Sequence, residues 1–389
     1  MGVDFPYLHC YNRIFSTLET QKARLLSLDV FRGMTIAFMI LVNTPGSWAH
    51  VYPPLLHAKW HGVTPTDLVF PFFLFIVGVS LFLSSCKFHH QLTGKATQKV
   101  IKRTLLIFLI GLALHWFPFK RSPETVRIMG VLQRIALAYG LAALVCLWLP
   151  LKQLWKAGLA LLLGYWALMW GFGGEDPYSL TDNLARKIDL ALLGEDHLYG
   201  GFGIKFDPEG LFSTLPAMVT VMLGYYAGSM IKASQDHQKL IKNMLLTGVL
   251  LIFLGLAWNI YFPLNKPLWT SSYVVYTAGI AFCFLAVLME IIDVRGYTRW
   301  TKPFQVFGLN PLVIYVLSGL IVKIILFMIK WEDAAGKTRN AYSWFYNEVF
   351  LALTPSQPKL ASLFFALTIV GFCWLFGYLL YRKKIVIKV

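Results

Sequence analysis

The sequence predicts an all-α polytopic membrane protein with about ten transmembrane helices, and three observations lead there. Of 389 residues, 57% are hydrophobic and 16% aromatic, while 14% are charged; an ordinary soluble domain carries about 25% charge. Mean hydropathy is +0.60. Apolar runs near twenty residues recur along the chain, and roughly 20 residues of helix cross a hydrocarbon core ~30 Å thick.

Taken in order, the spans fall near 25–43, 65–86, 104–118, 128–150, 157–172, 210–231, 244–262, 270–292, 303–329 and 359–381. The first contains LDVFRG, where Asp29 and Arg32 are three residues apart and share a helical face. That spacing predicts that they pair with each other or with adjacent helices, in a structural or gating role. The second follows Thr-Pro-Thr and carries Asp67 at its start. Lys102 and Arg103 lie at the cytoplasmic end of the third, where an anionic ligand would first be met; ordinary topology charge is the alternative, above all for Lys102. Arg134 lies about two turns inside the fourth, and an intramembrane charge marks a site or an internal pair. Lys323 is similarly placed in the ninth, unless it snorkels to the interface.

Between the fifth and sixth spans, residues 173–209 hold eight acids against three bases. Within them, LTDNLARKIDLALLGEDH repeats Leu184, Ile188 and Leu192 at helical spacing, which predicts a helix packed on the membrane surface. A second long loop, 330–358, is polar and aromatic. Loops longer than about 15 residues usually carry function or disorder.

Charge sets the orientation. With the N-terminus inside, the inside segments hold nearly twice as many Lys and Arg residues as the outside ones, which puts both termini in the cytoplasm. The net charge of +16 comes in short clusters between apolar runs, the pattern of topology signals and lipid-headgroup contact and not of nucleic-acid binding. Cys10, Cys86, Cys146, Cys283 and Cys373 form no CxxC pair, so neither a disulfide framework nor a zinc site is expected. The first residues contain no apolar core of a signal peptide, and none is expected to be cleaved.

The chemistry-bearing groups cluster on the outer side. His57 follows Pro53 and Pro54 just before the second span, and imidazole suits a general base near neutral pH. Read alone it is more readily a solvated loop histidine than a base, and His61 still more so. Asp67 can satisfy free N–H groups at a helix start and also serve His57. Asn43 ends the first span on the same side and can be a simple C-cap. No glycine-rich nucleotide loop, metal motif or GxSxG elbow is present. These residues fit an enzyme or a transporter without choosing.

A resemblance chooses. LLSLDVFRGMTIAFMILVN, HAKWHGVTPTDLVFPFFLFIVGVS, RIMGVLQRIALAYG, DPEGLFSTLPA, LNKPLWTSSYV and FGLNPLVIY together resemble the membrane acetyltransferase family of lysosomal heparan-α-glucosaminide N-acetyltransferase, over essentially the whole chain from Arg24. The chain looks closest to bacterial relatives labelled as N-acetylglucosamine-related transporters. The resemblance implies a transmembrane acyltransferase domain over 25–381, between a cytoplasmic segment 1–24 and a cytoplasmic tail 382–389. It implies a bacterial inner membrane, a homodimer, and acetyl transfer from cytoplasmic acetyl-CoA, without a metal, to an amino sugar outside. Its active histidine matches His57, its active-site asparagine Asn43 and the acid of DLVFP Asp67. On the same grounds Arg103 and Arg134 are the candidate CoA-binding cations, and Trp60, Glu209, Asn265 and Trp269 the candidate substrate-binding residues. The chain lacks the lysosomal enzyme's additional first span and luminal domain, so heparan sulfate is not the expected acceptor. His57 then acts as base for the attacking amine or as an acetyl carrier, Asp67 orients it and Asn43 serves the oxyanion. A secondary transporter of amino sugars, relaying protons through His57 and Asp67, is the competing class.

Overall fold

The structure, a computed structural model, describes residues 25–120, 122–333 and 336–387. The expectations placed on 1–24, including Cys10, and on Arg121 and Lys388 fall outside the described residues. Thirteen helices and one short hairpin are labelled here in chain order. They are α1 Leu26–Asn43, α2 Val69–Ser85, α3 Gly94–Trp116, α4 Val131–Trp148, α5 Leu151–Phe172, α6 Leu184–Leu193, α7 Thr214–Ala233 and α8 His237–Trp258. Then follow α9 Ser271–Leu288, α10 Lys302–Leu309, α11 Pro311–Lys323, β1 Lys330–Glu332, β2 Thr338–Asn340, α12 Ala341–Trp344 and α13 Pro358–Arg382.

Among the described residues, eight helices are long and apolar enough to cross a membrane, not ten. The other two predicted spans lie in α3 and α5, which at 23 and 22 residues have the length. Their first halves carry charge: Lys95, Lys99, Lys102 and Arg103 in α3, Lys152 and Lys156 in α5. Helix α3 also starts ten residues before the expected 104, because the Thr93 side chain caps the Ala96 N–H. Lys102 and Arg103 therefore sit within the helix and not at its end. The predicted ninth span, 303–329, is broken. Asn310 leaves the helical region (φ −128°, ψ 55°) and Pro311 restarts the chain as α11. A residue before proline is pushed out of the α region, which is the local reason for the break.

The tightest packing depends on glycine. Helix α2 lies along α7, where a Cβ on Gly78 would overlap the Val221 carbonyl and one on Gly224 the Phe75 carbonyl. Gly33 of α1 and Gly308 of α10 meet in the same way. Small residues let helix backbones approach closely where lipid supplies no hydrophobic drive for association. Large apolar side chains such as Leu246 and Phe253 on α8 and Leu375 and Leu379 on α13 face outward, as expected of helices solvated by lipid.

The 173–209 segment folds back onto the bundle. Tyr165, Met169, Phe206, Phe262 and Leu268 make a separate small core beneath it. Helix α6 forms as predicted, but Leu192 is exposed and the buried face is Ala185 and Asp189. The face is set by hydrogen bonding, since the Asp189 carboxylate accepts from the N–H groups of Leu211 and Phe212. In the 330–358 loop, β1 and β2 pair antiparallel, with Trp331 opposite Arg339. Lys323 donates to the carbonyls of Leu114, His115 and Phe117 at the end of α3, and does not simply snorkel.

The glycine contacts give a direct test. Gly224→Ala forces a methyl into the Phe75 backbone and is expected to destabilise by about 1–3 kcal/mol, the range for overpacking. Thermal unfolding in detergent measures it against Gly164→Ala, where a Cβ meets nothing within 4 Å.

Candidate active site

The loop before α2 is built to aim one imidazole. Pro53–Leu55 forms a 3-10 turn and Pro65–Leu68 a second one that runs into α2. Thr64 and Asp67 close a capping box: the Thr64 N–H donates to Asp67 Oδ2 at 3.0 Å, the Thr64 hydroxyl shares its one proton between the Leu56 carbonyl at 2.7 Å and Oδ2 at 3.0 Å, and the Asp67 N–H donates to the Thr64 carbonyl. The Ala58 N–H adds a third donor to Oδ2 at 3.0 Å. Oδ1 is left facing His57 Nδ1 at 2.7 Å. Asp67 thus serves as helix-start acid and as partner of His57 at once.

An ionised carboxylate oxygen only accepts, so the 2.7 Å contact is a hydrogen bond when His57 Nδ1 carries the hydrogen, the tautomer that leaves Nε2 open. The Asp67 side chain is 1% exposed and that of His57 41% exposed, so the acid is sealed while the base remains reachable.

Lys266, which a sequence reading counts only as an outside topology charge, joins this pair. Its Nζ lies 3.1 Å from His57 Nδ1 and 3.5 Å from Asp67 Oδ1. Burial lowers its pKa from the ordinary lysine value, against the opposing pull of Asp67 and Glu209. Some two hundred residues separate Lys266 from the pair, and no local signal in LNKPLW points to it.

Asn265 and Trp269, expected as substrate-binding residues, are fully buried and hold the loop that carries Lys266. Asn265 Nδ2 donates to the Trp60 carbonyl at 3.0 Å and lies 3.3 Å from His61 Nδ1. Trp269 donates to Thr220 and packs its ring against the Arg134 guanidinium, 5.1 Å away. Trp60 is half-buried, donates to the Tyr178 carbonyl and meets Phe202 and Phe206 edge-on. His61 is partnered by Asn265, and burial lowers its pKa while Asp176 opposes.

Nearby, Arg127 grips Asp207 at 2.6 and 2.8 Å and Glu209 at 2.6 Å. Burial works against the Arg127 charge, but the two carboxylates overcome it and hold its pKa above the ordinary arginine value. For Glu209 burial likewise opposes ionisation, and Arg127, Arg134 and Lys266 win, leaving its pKa lowered. Arg134 belongs to this group. It lies in the first turn of α4, not two turns in, and donates to the Gly210 carbonyl and the Ser213 hydroxyl. It does not line the cation-bearing cavity where the sequence reading put it.

That cavity, about 720 Å³, runs along α1 to α4 and α10–α11. Its cations are Arg32, Lys99, Lys102 and Arg103. Arg32 is paired with Asp29 at 2.9 Å, as its spacing predicted, and with Ser80 at 2.8 Å. Arg103 packs over the Tyr139 ring at 4.6 Å, and its buried Nε makes no hydrogen bond. Phe73 of α2 also lines the cavity; it is six residues beyond Asp67, about 9 Å of helix rise. Met39 lines it from α1, and the Met39 carbonyl accepts the Asn43 amide at 2.8 Å. Asn43 is thus an exposed helix-end residue one turn from the cavity, with its amide directed back along α1.

Asp189 gives this region a pH signature. Burial pushes its carboxyl from the usual 3.8 up to about 7, with Asp207 adding to the rise and the Phe212 N–H and Arg134 opposing it. A raised folded-state pKa means stability present at low pH and lost as pH rises through about 7. Asp189→Asn is expected to flatten the fall in melting temperature between about pH 4 and 7, measured in detergent beside the parent.

The chain was compared with known proteins. A family model described as heparan-alpha-glucosaminide N-acetyltransferase, catalytic, matches residues 24–267. That range includes His57, Asp67, Arg103, Arg134, Glu209, Asn265 and Lys266 and stops before Trp269. The chain is 31% identical over 433 residues to heparan-alpha-glucosaminide N-acetyltransferase of Homo sapiens, covering 96% of this chain and 61% of that protein. It is 30% identical over 359 residues to the Mus musculus protein of the same name, covering 77% of this chain and 54% of that one. The chain therefore spans little more than half the length of these curated relatives.

Proposed function

Since the chain belongs to the heparan-alpha-glucosaminide N-acetyltransferase catalytic family, we propose that it transfers acetyl from acetyl-CoA to the amine of glucosamine or a glucosamine-terminated saccharide. The observation that carries this is the His57–Asp67 pair, 2.7 Å apart and reachable, less than two turns of α2 from a cation-lined cavity. The cavity suits a long anionic donor. Arg103 has an unused buried Nε for a phosphate or a pantetheine carbonyl, with Lys99 and Lys102 beside it. The charge bias supports a cytoplasmic opening for this cavity, acceptor chemistry on the opposite side of a bacterial inner membrane, and both termini in the cytoplasm.

In the reaction so read, the neutral amine attacks the thioester carbonyl, and His57 Nε2 takes the proton released as the C–N bond forms. The C–S bond breaks, and the leaving CoA thiolate takes up the proton held on His57 Nε2. Asp67 steadies the imidazolium through Nδ1. In the two-step variant Nε2 itself carries the acetyl group. Trp60 and Glu209 are the candidate sugar contacts, whereas Asn265 and Trp269 shape the loop from within. Asn43 donates one amide N–H to the Met39 carbonyl and has its second N–H to offer an oxyanion. A homodimer is carried over from the family resemblance alone.

Purified protein in vesicles, given labelled acetyl-CoA and glucosamine, is expected to yield N-acetylglucosamine. Sugar uptake without acetylation would replace this reading with the transporter one. His57→Ala is expected to lower transfer by about 10²–10⁴-fold while acetyl-CoA still binds. Arg103→Ala is expected to weaken acetyl-CoA binding by roughly tenfold or more, the loss of a charge-assisted contact, as measured by calorimetry.

A further inference from the structure

Three groups compete for one carboxylate oxygen. Asp67 Oδ2 is saturated by Ala58 and Thr64, so Oδ1 alone faces both His57 Nδ1 at 2.7 Å and Lys266 Nζ at 3.5 Å. Because Nδ1 already donates, Lys266 is no hydrogen-bond partner of the ring. It is a second cationic donor 3.1 Å from the ring edge.

The position of Lys266 is held from both sides. Asn265 ties the segment to the Trp60 carbonyl and accepts from the Leu268 N–H, the Gly62 N–H donates to the Leu264 carbonyl, and the Trp269 N–H donates to the Lys266 carbonyl. Trp269 is kept in the left-handed region (φ +51°) to complete this turn, a conformation uncommon for a bulky residue. The loop holding the ammonium and the loop holding the imidazole are thus one clamped unit.

We propose that Lys266 is a positioning residue of the reaction, its ammonium balancing the Asp67 charge so that His57 meets the acceptor as an uncharged imidazole. This rests on the acetyltransferase reading for its purpose but not for its physics. A lone buried carboxylate at 2.7 Å favours the imidazolium, which has no lone pair to accept a proton. An ammonium at a similar distance opposes that, because like charges disfavour each other. With Lys266 protonated, the form that Asp67 and Glu209 favour against burial, the Asp67⁻/Lys266⁺ pair is neutral and leaves the base available. The charged groups bearing on this cluster are Asp67 from the α2 start, Lys266 from its loop, Glu209, which favours the Lys266 charge, and Arg134, which disfavours it. His61 and Asp176 lie at the adjoining Asn265 side.

Diethyl pyrocarbonate, which carbethoxylates imidazole only in its neutral form, reads this directly. The rate of modification at His57, followed by peptide mass spectrometry across pH, gives a midpoint whether or not any sugar is acetylated. In Lys266→Met, and in Lys266→Gln should the first variant not fold, the midpoint is expected to rise by about one unit or more. Lys266→Arg is expected to keep the parental midpoint. The acid limb of kcat/KM should move upward by the same amount in the Met or Gln variant. A midpoint that stays or falls when the charge is removed overturns the proposal, even if turnover is lost, since a purely structural lysine would cost activity without moving it. If the midpoint rises but neither parent nor variant makes acetylated sugar, the charge balance stands and the acetyltransferase reading fails.

Discussion

The Asp67 carboxylate is the interaction on which the rest of the site depends. One oxygen closes the helix start against Thr64 and the Ala58 N–H, and the other is left for the imidazole and the ammonium. A group this buried stays ionised only because it is surrounded by donors. The same donors fix the loop that bears His57, so starting a helix and orienting an imidazole are met by one side chain. Losing it would leave two basic side chains and three backbone or hydroxyl donors without their common acceptor, which is why its two roles cannot be separated.

Charge in the bundle is sorted into two regions. Near the site, Arg127, Arg134, Asp189, Asp207 and Glu209 form a buried network that docks the 173–209 segment onto the ends of α4 and α7. Buried ions of this kind survive by pairing, and each partner's ionisation depends on the others. Along the cavity Arg32 is paired with Asp29, and among the described residues the lining brings Lys99, Lys102 and Arg103 together with no carboxylate of its own. The network is not fully satisfied, since Arg134 keeps Nε and Nη1, and Asp189 its Oδ2, buried there without a hydrogen-bond partner.

Rigid packing makes these placements dependable. The glycine contacts of α2 with α7 and of α1 with α10 bring backbones together at the two helices that carry Asp67 and Asn43. Any side chain there would widen the spacing and strain the clamp that holds the Lys266 loop against the His57 loop. The break at Asn310–Pro311 lets α10 lie against α1 while α11 turns to line the cavity.

By itself the sequence determined the membrane class, the order of the helices and the start of α2. Hydropathy, proline and the Thr64–Asp67 spacing are local properties that act within a turn or two of themselves. The Asp29–Arg32 pair was legible for the same reason. Its family resemblance singled out His57 and Asp67, but spacing alone did not show that they touch. Only the tertiary structure decided the rest. It put Lys266 against His57, withdrew Arg134 from the cavity into the acidic network, buried Asn265 and Trp269, and turned α6 onto Ala185 and Asp189. These depend on which helix ends meet, and that is set by packing between segments as many as two hundred residues apart, where periodicity carries no information.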